Sequence, residues 1–322
     1  MAVPFESLPL KSDYPQLASW GLYGEGEEKY LGQLNLLTPE VVKDAAGLIK
    51  TGKRVSLDAP VDYLKPLAYG RQPAEHTIVP LEGGIAFDDV LKCNTQGSTQ
   101  WDGFRHFPSG DYRFYNGITA EEIPKPGSTA NGIHYWQKKG IVGRGVFLDF
   151  YSWAKENIKN YEPLESYSVQ LQELLACAKA QNVTFKKGDI LVIRFGFADK
   201  YEQAPTAKRE ALAKHMTSAG LAQKRNLVKW VWETQFAAIA SDGPALEMTP
   251  GAAAADTDLP GEGLVLHQIF LGCWGLPIGE LFHLEQLAAL LKEDGRSDFF
   301  FSSQVHSVRG GVASAPNALA II

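Results

Sequence analysis

Between Asn94 and His106 the chain reads N-T-Q-G-S-T-Q-W-D-G-F-R-H. Within it, Gln96 and Gln100 bring two amides, Asp102 a carboxylate and His106 an imidazole, with Gly97 and Gly103 free to bend the backbone. Such close spacing on a tight loop can aim several polar groups at one point, as an active site requires. A carboxylate four residues before a histidine can orient the imidazole and raise its basicity, which suits proton transfer. The same D-x-x-x-H spacing also fits an aspartate that caps a turn and a histidine satisfied by backbone. Gln96 and Gln100 can hold a substrate carbonyl or its oxyanion by hydrogen bonds. As metal ligands they offer only neutral oxygens, which are poor for zinc and better suited to harder ions such as Mg²⁺, Mn²⁺ or Ca²⁺. Trp101, Phe104 and Tyr115, with Phe107, Tyr112 and Phe114 nearby, can wall a pocket for a flat ring or form an ordinary core patch.

A second pair lies downstream in L-H-Q-I-F-L-G-C-W-G-L-P-I-G-E, which carries His267 and Glu280. Taken alone, a histidine in an apolar run can be a satisfied core residue. A glutamate ahead of a helix can simply complement the helix dipole. His76, His134, His215, His283 and His306 stand in no motif and receive no role.

The first stretch resembles the signature of the cyclase family that includes bacterial kynurenine formamidase and isatin hydrolase, H-x-G-T-H-x-D-x-P-x-H. Here it aligns as Q-G-S-T-Q-W-D-G-F-R-H, with Thr99, Asp102 and His106 matching. Gln96 and Gln100 stand where that family places two metal-binding histidines, and Ser98 and Phe104 replace its glycine and proline. The resemblance implies that His267 and Glu280 join Asp102 as metal ligands. It also implies a hydrolase of small aromatic or cyclic amides, imides or lactones, with dehydration or ring closure as variants. His106 and Asp102 are the expected proton-transfer pair, and Gln96, Gln100, Trp101, Phe104 and Tyr115 the expected substrate contacts. With two imidazoles replaced, a divalent cation (Mn, Mg or Zn) is expected to be weakly held or absent. In the metal-free version His106 acts as general base. A non-catalytic member that binds a small molecule or a partner is the alternative. The resemblance further implies a homo-oligomer, most simply a homodimer.

The elements that must position these residues follow from local signals. Residues 1 to 35 read as an irregular arm. Thr38 and Pro39 start a helix whose apolar face is Val41, Val42, Ala45, Ala46 and Ile49, stopped by Gly52. R-V-S-L-D, H-T-I-V-P-L and I-A-F-D-D-V read as strands, with Gly83-Gly84 as a hairpin turn. Residues 118 to 139 form a helix-and-loop insert. Gly145 to Tyr151, I-L-V-I-R-F after Gly188-Asp189, and Phe236 to Ala240 are apolar strands. Ser168 is expected to cap one helix, and a second runs from about Gly220 to Thr234. S-D-G-P-A-L-E is a turn with an exposed carboxylate at Asp242. Residues 250 to 263 read as a loop, and Gly263 to Phe270 as a strand carrying His267. Glu280 precedes a helix, and Phe299 to Val305 and the segment from Gly311 close the fold. The expected fold is one α/β domain over 1–322: a central mixed β-structure, partly barrel-like, flanked by helices, of the swivelling β/β/α type that the resemblance implies.

Composition narrows the function classes. The chain has 322 residues, 45% hydrophobic, with a formal net charge of −6. Its scattered lysines and arginines give no footprint for nucleic acid or an anionic membrane surface. Cys93, Cys177 and Cys273 are too few and too far apart for a disulfide framework or a thiolate zinc site, and are expected to be small buried hydrophobes. No apolar run reaches the roughly 20 residues of a membrane span, and no signal peptide is visible, so a cytoplasmic location is expected.

Overall fold

The computed structural model describes residues 3–251, 257–259 and 264–322. Its strands are β1 (Arg54–Ser56), β2 (Glu75–Leu81), β3 (Ala86–Lys92), β4 (Gln100–Asp102), β5 (Ile141–Leu148), β6 (Ser168–Val169) and β7 (Ile190–Ile193). They continue with β8 (Gly220–Leu221), β9 (Ala238–Ser241), β10 (Ile278–Glu280), β11 (Asp298–Ser303), β12 (Ala313–Ser314) and β13 (Leu319–Ile321). The helices are α1 (Pro39–Ala46), α2 (Phe150–Asn157), α3 (Leu171–Ala180), α4 (Phe197–Gln203), α5 (Thr206–Lys214), α6 (Arg225–Thr234) and α7 (Glu285–Asp294).

Nine strands make one curled mixed sheet in the order β1-β13-β11-β5-β7-β9-β10-β4-β12. Its centre, β5-β7-β9-β10, is parallel, and both wings are antiparallel. The centre is covered on both sides, which explains why β7 (I-L-V-I) and β9 (A-I-A-S) are buried at every position. The core draws on residues from Phe5 to Ile322, so the N-terminal arm packs into the body. The α/β architecture expected from the sequence is the one observed.

Several local expectations need correction. Thr38 does cap α1, its hydroxyl accepting from Val41 N at 3.4 Å, but the helix ends at Ala46 rather than Gly52. Ile49 therefore falls outside the helix and is exposed. The cap of α3 is Gln170, not Ser168, because Glu173 reaches back to the Gln170 amide and closes a capping box. The helix expected from Gly220 begins at Arg225, since Gly220–Leu221 is taken into β8. Cys93 is exposed, whereas Cys177 and Cys273 are buried as expected.

Asp242 is fully buried rather than exposed. It accepts hydrogen bonds from the backbone N–H of Phe195 (2.6 Å) and Gly196 (2.8 Å), tying the end of β9 to the turn after β7. His267 does not lie on a strand. It directly precedes a π-helix, Gln268–Trp274, that packs against the segment after His106. Gly272 permits that approach: a Cβ there would stand 2.3 Å from Ser109 N. The loop expected at 250–263 lies largely outside the described residues. No helix among the described residues is long and apolar enough to cross a membrane.

Candidate active site

The site is built where β4 pairs with β10. Their antiparallel register sets Gln100 opposite Glu280 and Asp102 opposite Ile278. Side chains alternate along a strand, so Gln100 and Asp102 share one face and Trp101 takes the other. Gln100 donates its amide to Glu280 Oε2 at 2.6 Å and to Gln96 Oε1 at 2.8 Å. Gln96 in turn donates a short hydrogen bond to Asp102 Oδ1. Because carboxylates only accept, each amide must turn its NH₂ group towards an acid. The two glutamines thus bridge Asp102 and Glu280 with neutral donors.

The loop before β4 is pinned by the hydroxyls of its S-T pair. Thr99 Oγ1 donates to Leu281 O and accepts from Ala59 N, both at 2.7 Å, while Ser98 Oγ donates to Pro60 O at 2.6 Å. After β4, Gly103 accepts from His106 N at 2.9 Å, and this turn swings the imidazole back over Asp102.

His267 completes the cluster. Its Nε2 lies 3.0 Å from Glu280 Oε1 and 3.5 Å from Asp102 Oδ2, and its Nδ1 lies 2.8 Å from Glu247 Oε2. The N-terminal arm holds this region in place: Trp20 Nε1 donates to Gly272 O, and Trp274 Nε1 to Leu17 O. Glu280 ends the parallel strand β10, and Glu247 follows the end of β9. Both acids thus sit at the carboxyl ends of parallel strands, where α/β sheets present their binding groups.

One buried oxygen stands out. Asp102 Oδ2 has no hydrogen-bond partner, although His267 Nε2 is 3.5 Å away and His106 Nε2 is 3.8 Å away. Among the described residues, Asp102, His106 and His267 form the group whose ligand atoms all lie within 4.8 Å of one another. An unpartnered carboxylate oxygen between two imidazoles is a donor set that fits a divalent cation once His267 gives up its Nε2 proton. The expected trio was Asp102, His267 and Glu280; Glu280 lies at this same cluster, with its oxygens on His267 Nε2 and the Gln100 amide.

Electrostatics follow from burial. Burial raises the Asp102 carboxyl, but the adjacent His106 and His267, with the Gln96 hydrogen bond, bring it below its ordinary value. Burial lowers His106, against the pull of Asp102. Burial also disfavours the charged His267, but the surrounding carboxylates of Glu247, Asp102 and Glu280 hold it well above the usual range. Burial and the neighbouring Asp102 push Glu280 up to about 7.

A cavity of about 320 Å³ opens onto this cluster. Of the expected residues His106, His267 and Glu280 line it, and Gln96, Gln100 and Asp102 form the bonded layer joined to them. Trp101, Phe104 and Tyr115 do not. Trp101 packs edge-on against Phe282 and Phe301 and donates to Ser303 Oγ, while Phe104 packs edge-on against Tyr115 and tilted against Trp136, all fully or nearly fully buried. The aromatic wall of the cavity is instead Phe107 and Tyr69.

The sequence reading passed over three residues. Glu247 sits in the same S-D-G-P-A-L-E turn from which Asp242 was singled out. Arg71 lines the cavity, donates to Gln96 O at 3.0 Å and lies 5.0 Å from the Tyr69 ring centre. Tyr69 itself adopts φ +59°, a conformation rare for a bulky residue. No spacing signal marks Arg71 or Tyr69; Glu247 could have been found as the second acid of its turn.

Fold and site together define an α/β protein with an acid–imidazole centre at the carboxyl end of its parallel strands. A family model described as putative cyclase matches residues 22–248. The crystal structure of a protein described as a novel cyclase is 30% identical, with a TM-score of 0.81 over 95% of this chain and 99% of that one. The chain belongs to the cyclase family. Its fold is shared by isatin hydrolase A from Labrenzia aggregata bound to benzyl benzoate (13% identity, TM-score 0.60, covering 86% and 94% of the two chains). It is also shared by isatin hydrolase A from Ralstonia solanacearum (15%, 0.58, 88% and 97%). No match is found among curated proteins.

Proposed function

We propose that this chain is a hydrolase of a small aromatic or cyclic amide, imide or lactone, kynurenine formamidase-like or isatin hydrolase-like in reaction. The observation that carries the reading is the unpartnered Asp102 Oδ2 between His106 and His267, beside the cavity. The cavity's size and its mix of Phe107, Tyr69 and Arg71 suit a flat substrate with one polar or anionic end.

Asp102, His106 and His267 are the residues that would hold a divalent cation (Mn, Mg or Zn). Such an ion supplies Lewis-acid polarisation of the carbonyl under attack. Glu247 fixes the ring of His267 through Nδ1, the kind of outer contact that orients a metal-binding imidazole. Glu280, shifted to about 7, is poised to take or return a proton near neutral pH. The N–H groups of Gln96 and Gln100 already face Asp102 and Glu280, so these amides tie the acids together rather than add ligands. That arrangement supports weak cation binding.

In the metal-free version His106, kept neutral by burial, takes the proton from the attacking water, and Asp102 stabilises the imidazolium that forms. Arg71 then offers the charge that receives the developing oxyanion. The competing reading is a non-catalytic binding protein, favoured by the same glutamine bridge. Turnover of aryl formamides, cyclic imides and lactones, with and without Mn²⁺ or Zn²⁺, is the test. No turnover of any of these substrates, with metal bound or not, refutes the hydrolase reading.

A further inference from the structure

Among the described residues that line the cavity, Arg71 is the one permanent cation. The other arginines inside the fold already have their partners. Arg144 pairs with Asp189 and Asp298, Arg194 with Asp149 and Glu285, and Arg296 with Asp298. Arg105 is held by the carbonyls of Ile123, Ser128 and Gly310. Arg71 has no carboxylate partner among the described residues; it donates to Gln96, to the backbone O at 3.0 Å and to Oε1 at 3.5 Å. A guanidinium carries five N–H groups in a rigid fork, so the others are left for a ligand in the cavity.

We propose that Arg71 is the specificity-determining residue of this site, and that the substrate is an aromatic amide or lactone carrying one carboxylate close to the carbonyl that reacts. The inference rests on the hydrolase reading above for which bond reacts. Its geometry comes from Gln96. That one amide donates to Asp102 Oδ1 and turns its Oε1 towards Arg71. The anion-binding fork and the acid–imidazole centre are therefore one amide group apart. A ring with its carboxylate and its acylated group on neighbouring carbons spans such a gap.

The surroundings favour a single negative charge. The arginine fork matches carboxylate and phosphate alike. Glu247 and Glu280 line the same cavity, so a dianionic phosphate meets more repulsion there than a carboxylate does. Tyr69 steadies the fork: its ring centre lies 5.0 Å from the guanidinium, and a ring on that face leaves the N–H edge to a ligand. Tyr69 does so at φ +59°, the kind of backbone strain that is kept where a ligand site uses it.

Binding is tested first, by calorimetry on the full chain, with 2-aminobenzoate against its neutral counterpart 2-aminobenzamide, with and without chelator. The acid should bind at least about tenfold more tightly, and Arg71→Gln, which can still donate to Gln96 O, should remove that preference. Turnover is then compared for 2-formamidobenzoate and its methyl ester. The parent's kcat/KM should favour the acid by roughly 10- to 100-fold, mainly through KM, and Arg71→Gln should lose the preference. Should that variant fail to fold, Arg71→Lys keeps the charge without the fork and should lower the preference at least about threefold. A group that met only the developing oxyanion, or only held the Gln96 loop, would affect both substrates alike. Equal losses therefore overturn the inference and leave the hydrolase reading standing. Arg71-dependent preference in binding, with turnover of neither compound, supports the anion fork and counts against the hydrolase reading instead. No preference for the acid in the parent, its loss on chelation, or tighter binding of phenyl phosphate overturns the inference.

Discussion

Gln100 lies directly opposite Glu280 across the β4–β10 pair and donates its amide to the carboxylate at 2.6 Å. Two buried acids, Asp102 and Glu280, are thereby joined through neutral amides. The bridge makes the metal content of this chain the most informative quantity to measure.

The purified protein should carry far less than one zinc per chain, because Gln96 and Gln100 supply no imidazole. Gln96→His with Gln100→His should raise zinc affinity by at least tenfold, as read by calorimetry and elemental analysis. Chelator-resistant zinc at one equivalent in the unmodified chain would contradict this.

In the metal-free version His106→Ala should lower turnover by roughly 10²- to 10⁴-fold, the usual contribution of a proton-transfer group. Burial lowers the His106 pKa from 6.5, so the parent's kcat/KM should hold down to pH 6.5 and fall only below it. An acid limb centred above pH 6.5 would point to a different group.

Glu247→Gln keeps a hydrogen-bond acceptor on His267 Nδ1 but removes the charge. It should cost roughly 10- to 100-fold in metal affinity or turnover, the range for residues that orient a ligand from behind. His267 should titrate lower in the variant, and NMR of the ring protons would reveal it.

Trp101→Ala and Phe107→Ala separate core from cavity. The first empties a fully buried site and should cost about 3–5 kcal/mol of stability in denaturant unfolding. The second should raise KM and leave the unfolding midpoint closer to the parent's. Equal loss of stability would mean that Phe107 is a core residue too.

Asp242 gives a stability signal away from the cluster. Burial raises its pKa from 3.8 to about 6, so the native state keeps a proton that the unfolded chain has lost between those values. Stability should therefore fall as pH rises from 3.8 to 6, by up to about 3 kcal/mol from this residue. Asp242→Asn should lose this part of the slope in unfolding curves taken across that range.

Much of this was legible in the chain. The Gln96–His106 stretch announced itself through residue types at short spacing, and β5, β7 and β9 through apolar runs that only a covered sheet can accept. Thr38-Pro39 and Gly83-Gly84 were readable because caps and turns depend on a few adjacent residues. His267 was placed on a strand because a short apolar run does not reveal its own period. The close approach of Gly272 to Ser109, 163 positions away, accompanies its helical state. Whether Trp101 walls a pocket or joins a core patch depends on which face of β4 it takes, and the pairing with β10 and β12 sets that face. Glu247, Arg71 and the bridge from Gln100 to Glu280 needed the whole sheet order. Local sequence sets dihedral preference and burial, but which acid meets which imidazole depends on register between strands that are remote along the chain.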